Sequence, residues 1–167
     1  MRFKQSIVHK DYLLHLYDLF KTFSSQAPKI TNMAPHKLTG KVYSSIWFNT
    51  YTLPCFVPLY ELFYVDGSKV VPSNIAELLT ALGLAYWLID EGGFNKRDRA
   101  VVLSTQGFRK EEVNLLINVL NNKFKLNCTI NKNTNGFVIR IPSKSLPILQ
   151  DLLAPHMPSM MAYKIGL

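Results

Sequence analysis

The chain has 167 residues, 48% of them hydrophobic and 18% charged, enough for one compact domain or two small ones and too apolar for an unfolded polyelectrolyte. Nineteen Lys and Arg against eleven Asp and Glu leave a net charge of +8. The first partner to expect is therefore a polyanion, either nucleic acid or an anionic membrane. Cys55 and Cys128 make no disulfide framework, and neither has a Cys or His at ligand spacing, so a structural zinc site is not expected. The longest apolar run, 82–89, is too short to span a bilayer, and Met1-Arg2-Phe3-Lys4-Gln5 carries no signal-peptide pattern. No helix pairs a basic face with a broad apolar one, which argues against membrane-surface binding.

In chain order, Tyr12, Leu16, Leu19, Phe20 and Phe23 recur at helical spacing and predict a helix over 9–23. Residues 29–32 and 42–49 read as strands, with Thr39-Gly40 as turn chemistry between them. Leu53-Pro54 opens a second helix to about Tyr64, ended by Asp66-Gly67. Residues 74–91 read as helix in one or two pieces, stopped by Gly92-Gly93 through a left-handed backbone. A strand at 100–105 precedes the clearest helix, 109–124, which has Glu111 and Glu112 in its first turn. Strands at 126–131 and 137–141 join through Asn135-Gly136, and Leu146-Pro147 opens a last helix to about Ala154.

This order repeats. Gln106, Leu120 and Phe124 each stand 101 positions after Gln5, Leu19 and Phe23, and Leu146-Pro147 stands 93 after Leu53-Pro54. The first copy's hairpin should accordingly be eight residues longer. The division expected is an incomplete first repeat, 1–72, and a complete second one, 73–167. Copy one has no counterpart of the helix before Gly93, so one helix and most of one or two strands are expected to be missing from its front.

Between the copies stands Leu84-Ala85-Tyr86-Trp87-Leu88-Ile89-Asp90-Glu91-Gly92-Gly93. This segment resembles the LAGLIDADG motif of homing endonucleases and intron maturases, in the Leu-Ala-Tyr-Trp form of the second half of single-chain members. The flanks are similar too: Gln5 with His9-Lys10, Leu62-Phe63-Tyr64 before Val71-Pro72, Thr105-Gln106, and Pro142-Ser143-Lys144. The resemblance implies an α/β fold of two αββαββα pseudo-repeats with saddle-shaped antiparallel sheets, the first repeat truncated at its N-terminus. Independently of it, Ala81, Ala85, Ile89 and Gly92 fall on one helix face lined with small residues, which lets two backbones approach closely. That face is expected to meet a partner helix.

Asp90 and Glu91 end the helix against the negative pole of its macrodipole, a placement that calls for a compensating positive charge. A divalent metal held by hard oxygen ligands is one answer. The resemblance assigns Glu91 to the metal-binding acid, where Asp is usual, with Asp90 one place earlier and Lys144 as a lysine near the metal. It implies Mg²⁺-dependent phosphodiester hydrolysis, but only with a second motif, from a separate chain or a second copy. Alone, the chain is expected to be inactive. The resemblance also implies a mitochondrial or other organellar location. Cations for nucleic acid are expected at Lys29, Lys37 and Lys41 in the first hairpin, at Lys96, Arg97 and Arg99 after the motif, and at Lys132 and Arg140 in the second hairpin. Trp47, which matches Arg140, should share their face. Two-stranded ribbons of this kind fit a DNA major groove. The alternative is a non-catalytic RNA-binding relic, maturase-like or associated with an organellar ribosome.

Overall fold

A computed structural model describes residues 1–167, which divide into two compact units, 1–57 and 58–167.

In the first unit, β1 (Arg2–Ser6), α1 (Lys10–Phe20), β2 (Lys29–Asn32) and β3 (Ser44–Asn49) build an antiparallel sheet of order β1-β3-β2 under one helix. Single 3-10 turns, Ile7–His9 and Lys21–Phe23, flank α1 and complete the predicted helix. The inner face is fixed by strand alternation. Ile46 and Phe48 are buried with Tyr12, Leu13 and Leu16 of α1, and Phe3 stacks on Phe48 with ring centroids 4.8 Å apart. The outer face follows from register: Lys4, Trp47 and Lys29 are direct cross-strand neighbours.

The second unit begins within α2 (Val57–Phe63), which follows a 3-10 turn at Pro54–Phe56. Next come the hairpin β4 (Tyr64–Val65) and β5 (Ser68–Lys69), then α3 (Ile75–Leu78) and α4 (Ala81–Glu91). Asp66 and Gly67 both take positive φ (50° and 74°), as a two-residue hairpin turn requires, so this pair reverses the chain as well as ending the helix. Thr80 caps α4 by accepting from Gly83 N at 3.0 Å. A four-stranded antiparallel sheet follows, of order β6-β7-β9-β8, from β6 (Gly92–Asn95), β7 (Ala100–Ser104), β8 (Thr129–Asn133) and β9 (Gly136–Ile141). Behind it lie α5 (Lys110–Phe124) and α6 (Leu146–Leu153), and 3-10 segments end the chain, Ser159–Ile165 the longest. Its core joins Leu84, Ala85 and Leu88 of α4 to Leu103, Val113, Leu120, Ile139, Ile141, Leu149 and Leu153.

Three expectations about local structure are corrected. Gly92 does not end α4 in a left-handed conformation. Its φ is −93° and it opens strand β6. Glycine is needed there because a Cβ would overlap the Leu88 carbonyl oxygen and meet Leu88 Cγ at 2.8 Å. The β8–β9 turn falls on Thr134-Asn135, with Gly136 already paired to Asn133. The proline in the first turn of α2 is Pro58, so Val57-Pro58, and not Leu53-Pro54, matches Leu146-Pro147.

The pseudo-repeat itself is present in shifted register. The sheet orders correspond strand for strand, β1-β3-β2 with β7-β9-β8. The burial sequence of residues 10–18 recurs at 110–118, one position earlier than the predicted match. That pairs Leu13 with Val113 and Leu16 with Leu116. Eleven residues (33–43) separate paired Asn32 and Ser44, and four (133–136) separate paired Lys132 and Phe137. The first hairpin is thus longer by seven residues, not eight. Gln5 and Gln106 are not equivalent, since Gln5 lies within β1 and Gln106 in the turn after β7.

Candidate nucleic-acid interface and acidic helix end

Asp90 and Glu91 are both exposed at the C-terminal end of α4. The positive charge that this helix end calls for is supplied by the protein itself. Lys164, in the last 3-10 segment, donates from Nζ to the Gly92 carbonyl at 2.6 Å. Partial burial pulls its pKa below the ordinary lysine value, while the charges of Asp90 and Glu91 pull it back up. Sequence reasoning misses Lys164 because nothing periodic marks residues 154–165. The segment is tied down by contacts distant in sequence, such as Gln150 Nε2 donating to the Ile165 carbonyl at 2.8 Å. Lys144 sits exposed in the 3-10 turn Ser143–Ser145.

Glu91 also lines a cavity of about 450 Å³ within the second unit. Trp87, Leu79, Ile75 and Phe108 make its apolar wall, and Ser104, Thr105 and Gln106 bring polar atoms. Gln106 and Glu91 therefore share one concavity. No group of three or more His, Cys, Asp or Glu side chains is gathered to hold a metal. The chain alone makes no closed metal cage. Glu91 nonetheless fits Mg²⁺ as a partial site, being an exposed hard-oxygen donor of the kind that ion takes together with phosphate oxygens and water.

The small-residue face of α4 is corrected in part. Ala85 is fully buried in the unit's own core, Ile89 and Gly92 are also buried, and Ala81 is half-buried. The residues of α4 left open are Leu82, Gly83, Asp90 and Glu91.

On the first sheet, Lys29 and Trp47 share the outer face as predicted, together with Arg2 and Lys4. The Arg2 guanidinium lies 4.4 Å from the Trp47 ring centroid, and Trp47 Nε1 donates to Thr31 Oγ1 at 2.9 Å. Arg2 and Lys4 could have been found by alternation, since they alternate with the less exposed Phe3 and Gln5. Lys37 and Lys41 lie in the long β2–β3 loop. That loop continues as a loose ribbon, with Met33 N bonded to the Tyr43 carbonyl at 2.8 Å and His36 N to that of Lys41 at 3.0 Å.

On the second sheet, Arg140 faces outward beside Val102 and Thr129. Lys132 is a correction: it pairs with Phe137, two places from Ile130 and Ile139, and so lies on the opposite face from Arg140. Its ammonium stands 5.9 Å from the Phe137 ring centroid. Lys96, Arg97 and Arg99 are exposed on the β6–β7 loop, which is shaped by Asn95 Oδ1 accepting from Asp98 N at 3.1 Å. Arg97 is not free, because its Nε donates to Asp98 at 3.0 Å. That bond holds the Asp98 carboxyl below its ordinary pKa, and Arg140 adds a smaller pull.

The profile of the LAGLIDADG DNA endonuclease family matches residues 1–149, the whole of the first unit and all of the second as far as α6. The chain belongs to this family. Among LAGLIDADG relatives, it is 35% identical over 164 residues to "Probable intron-encoded endonuclease 1" of Wickerhamomyces canadensis, covering 94% of this chain and 70% of that protein. It is 31% identical to "Cytochrome b mRNA maturase bI2" of Debaryomyces hansenii, covering 99% of this chain and 64% of the relative. The solved homing endonuclease I-WcaI, bound to its DNA recognition sequence, superposes with a TM-score of 0.90 at 31% identity, over 98% of this chain and 74% of that one. The two αβ repeats and their antiparallel sheets are thus the LAGLIDADG fold.

Proposed function

We propose that this chain binds duplex DNA through its outward sheet faces, as part of an intron-encoded, site-specific endonuclease whose active site needs a second acid. The observation that carries this reading is the end of α4, where Glu91 borders a cavity shared with Gln106 and Lys164 stands beside the same helix end. A carboxylate and an amide around one opening, with an ammonium bonded at the adjoining helix end, suit a scissile phosphate. When bound, Mg²⁺ would be held by Glu91, with Asp90 as the other candidate, and would stabilise charge on the phosphate oxygens. Of the chain's own residues, Lys164 would contribute positive charge and Gln106 would orient water or phosphate.

The second acid would come from another α4-type helix. Residues 57, 60 and 64 stand 89 positions before 146, 149 and 153. Val57, Tyr60 and Tyr64 are exposed, whereas Leu146, Leu149 and Leu153 are buried, with α4 packed against α6. A second such helix, from a separate chain or further polypeptide, would cover the exposed set. Two relatives are cytochrome b mRNA maturases, which supports a mitochondrial or other organellar setting and gives the second reading, an RNA-binding maturase.

The test uses one randomised 30-base-pair duplex pool and RNA transcribed from it. The expected result is preferential DNA binding with no cleavage by the chain alone in Mg²⁺. Cleavage by the chain alone, lost in Glu91→Gln, would overturn the half-site reading. Binding of RNA at least tenfold tighter than DNA would overturn the endonuclease reading in favour of the maturase one.

A further inference from the structure

The two hairpin tips differ in chemistry. The β8–β9 tip turns on Thr134-Asn135, with Asn135 N donating to Asn133 Oδ1 at 2.9 Å, and carries no apolar side chain. The β2–β3 tip runs through eleven residues, 33–43, which include Lys37 and Lys41 and no acid. The acids of its unit, Asp11 and Asp18, both lie on α1.

The longer tip is closed by its own bonds. Gly40 N donates to the His36 carbonyl at 2.8 Å, and His36 N donates to that of Lys41 at 3.0 Å. Thr39 Oγ1 meets His36 Nδ1 at 3.2 Å, and Gly40 takes the left-handed backbone (φ 65°) that the reversal needs. Leu38 lies inside this turn and is 91% exposed, more than any other large apolar residue in the chain, the next being Val8 at 77%. Single exposed leucines are ordinary on protein surfaces. Leu38 is set apart by its place. A turn bonded on both sides of it holds it in water, between Lys37 and Lys41 in sequence, in a loop without an acid. An apolar partner alone would not call for the lysines, and a phosphate backbone alone would not call for the leucine. Duplex DNA offers both, because its anionic backbones flank an apolar base stack that a leucine can enter as a wedge.

We propose that Leu38 is such a wedge: with Lys37 and Lys41 on the neighbouring phosphates, it enters between two adjacent base pairs from the minor groove and unstacks them. Since the β8–β9 tip has no apolar counterpart, one base step of the bound site is opened in this way. Pyrimidine–purine steps unstack most easily, so the opened step should be TA or CA/TG, a preference that needs no contact with a base edge. This rests on the DNA-binding reading above.

The test starts from duplexes selected out of the randomised pool by the wild-type chain. The fluorescent adenine analogue 2-aminopurine, which brightens when it unstacks, is placed at each position in turn. One step should brighten on binding. Leu38→Ala should lose that signal and leave thermal unfolding unchanged, because the side chain is almost wholly in water. Its binding should weaken by roughly tenfold or less, since the cost of unstacking is then spared as well. Leu38→Phe keeps an apolar wedge and should keep the signal. Lys37→Gln with Lys41→Gln should lower the slope of log K against log salt by about two, at about 0.9 for each phosphate contact, whereas Leu38→Ala should leave it alone. The proposal is overturned if the wild type binds with every step still stacked, if the brightening persists in Leu38→Ala, or if Leu38→Phe loses it. Absence of binding to any duplex at about 50 mM KCl, where phosphate contacts are strongest, would instead remove the DNA-binding reading itself.

Discussion

Helices α1 and α5 begin alike and end differently. Their first nine residues bury in the same sequence, yet Leu19 is 53% exposed where its counterpart Val119 is 5% exposed. The same contrast separates α2 from α6. Both follow a 3-10 turn and both carry proline in their first turn, but Tyr60 is 56% exposed and Leu149 fully buried. The apolar residues exist in both copies. What differs is cover: α6 has α4 to pack against, whereas the corresponding side of α2 is left open. Burial is a property of the assembled neighbours, and a helix's own sequence sets only which side is available for it.

The largest expected effect tests that claim directly. Leu149→Ala removes a fully buried side chain from a core joined to Leu84 and Leu88. It should cost about 2–5 kcal/mol in denaturant unfolding, the range for cavity-forming core substitutions. A loss below about 1 kcal/mol would mean that α6 is not seated as described.

A middle-sized effect concerns a strap that only the second copy has. Glu112 in the first turn of α5 is buried, and it accepts from Val71 N at 3.0 Å and from Arg109 N at 2.9 Å. Its counterpart in α1 is Tyr12, which cannot do the same. Burial pushes the Glu112 carboxyl up, but the donors from Val71 and Arg109 outweigh it and leave the pKa below its ordinary value. A carboxylate with a depressed folded pKa contributes stability above its unfolded value. That contribution is lost as pH falls through the folded one. Glu112→Gln should cost about 1–3 kcal/mol at neutral pH, because one backbone N–H then faces an amide donor. The variant should also lose less stability than the wild type on acidification below about pH 4.5, the ordinary value for this side chain. Parallel pH profiles would contradict the strap.

Much of this architecture is legible in sequence. The β2 strand, the helical character of 74–91 and the α5 helix follow from alternation, capping and period, which are local signals; whether 74–91 is one helix or two is left open by them. Glu91 and Trp47 are legible because they sit in a motif and on an alternating strand. Lys164 is not, because its place depends on a 3-10 segment held by the Gly92 carbonyl and the Gln150 side-chain amide. The register of the repeat is misread by one position in the helix because Leu19 and Leu120 look alike as letters, while burial pairs Leu19 with Val119. Lys132 is misplaced because a lysine near a hairpin tip suggests a free cation, whereas its face is set by pairing with Phe137.

The smallest expected effect completes the contrast between α2 and α6. Tyr60 of α2 and Tyr64, the first residue of β4, stack face to face with ring centroids 4.7 Å apart, and both are exposed. Stacking of this kind is worth about 0.5–1.5 kcal/mol when it is well shielded, and less when water reaches both rings. Tyr60→Ser should therefore change unfolding stability by no more than about 0.5 kcal/mol, the range for surface positions. Its counterpart Leu149 is expected to cost several times as much, although the two occupy the same place in the repeat. If Tyr60→Ser proves as costly as Leu149→Ala, then α2 is already covered in the isolated chain, and no second α4-type helix is needed to bury its face.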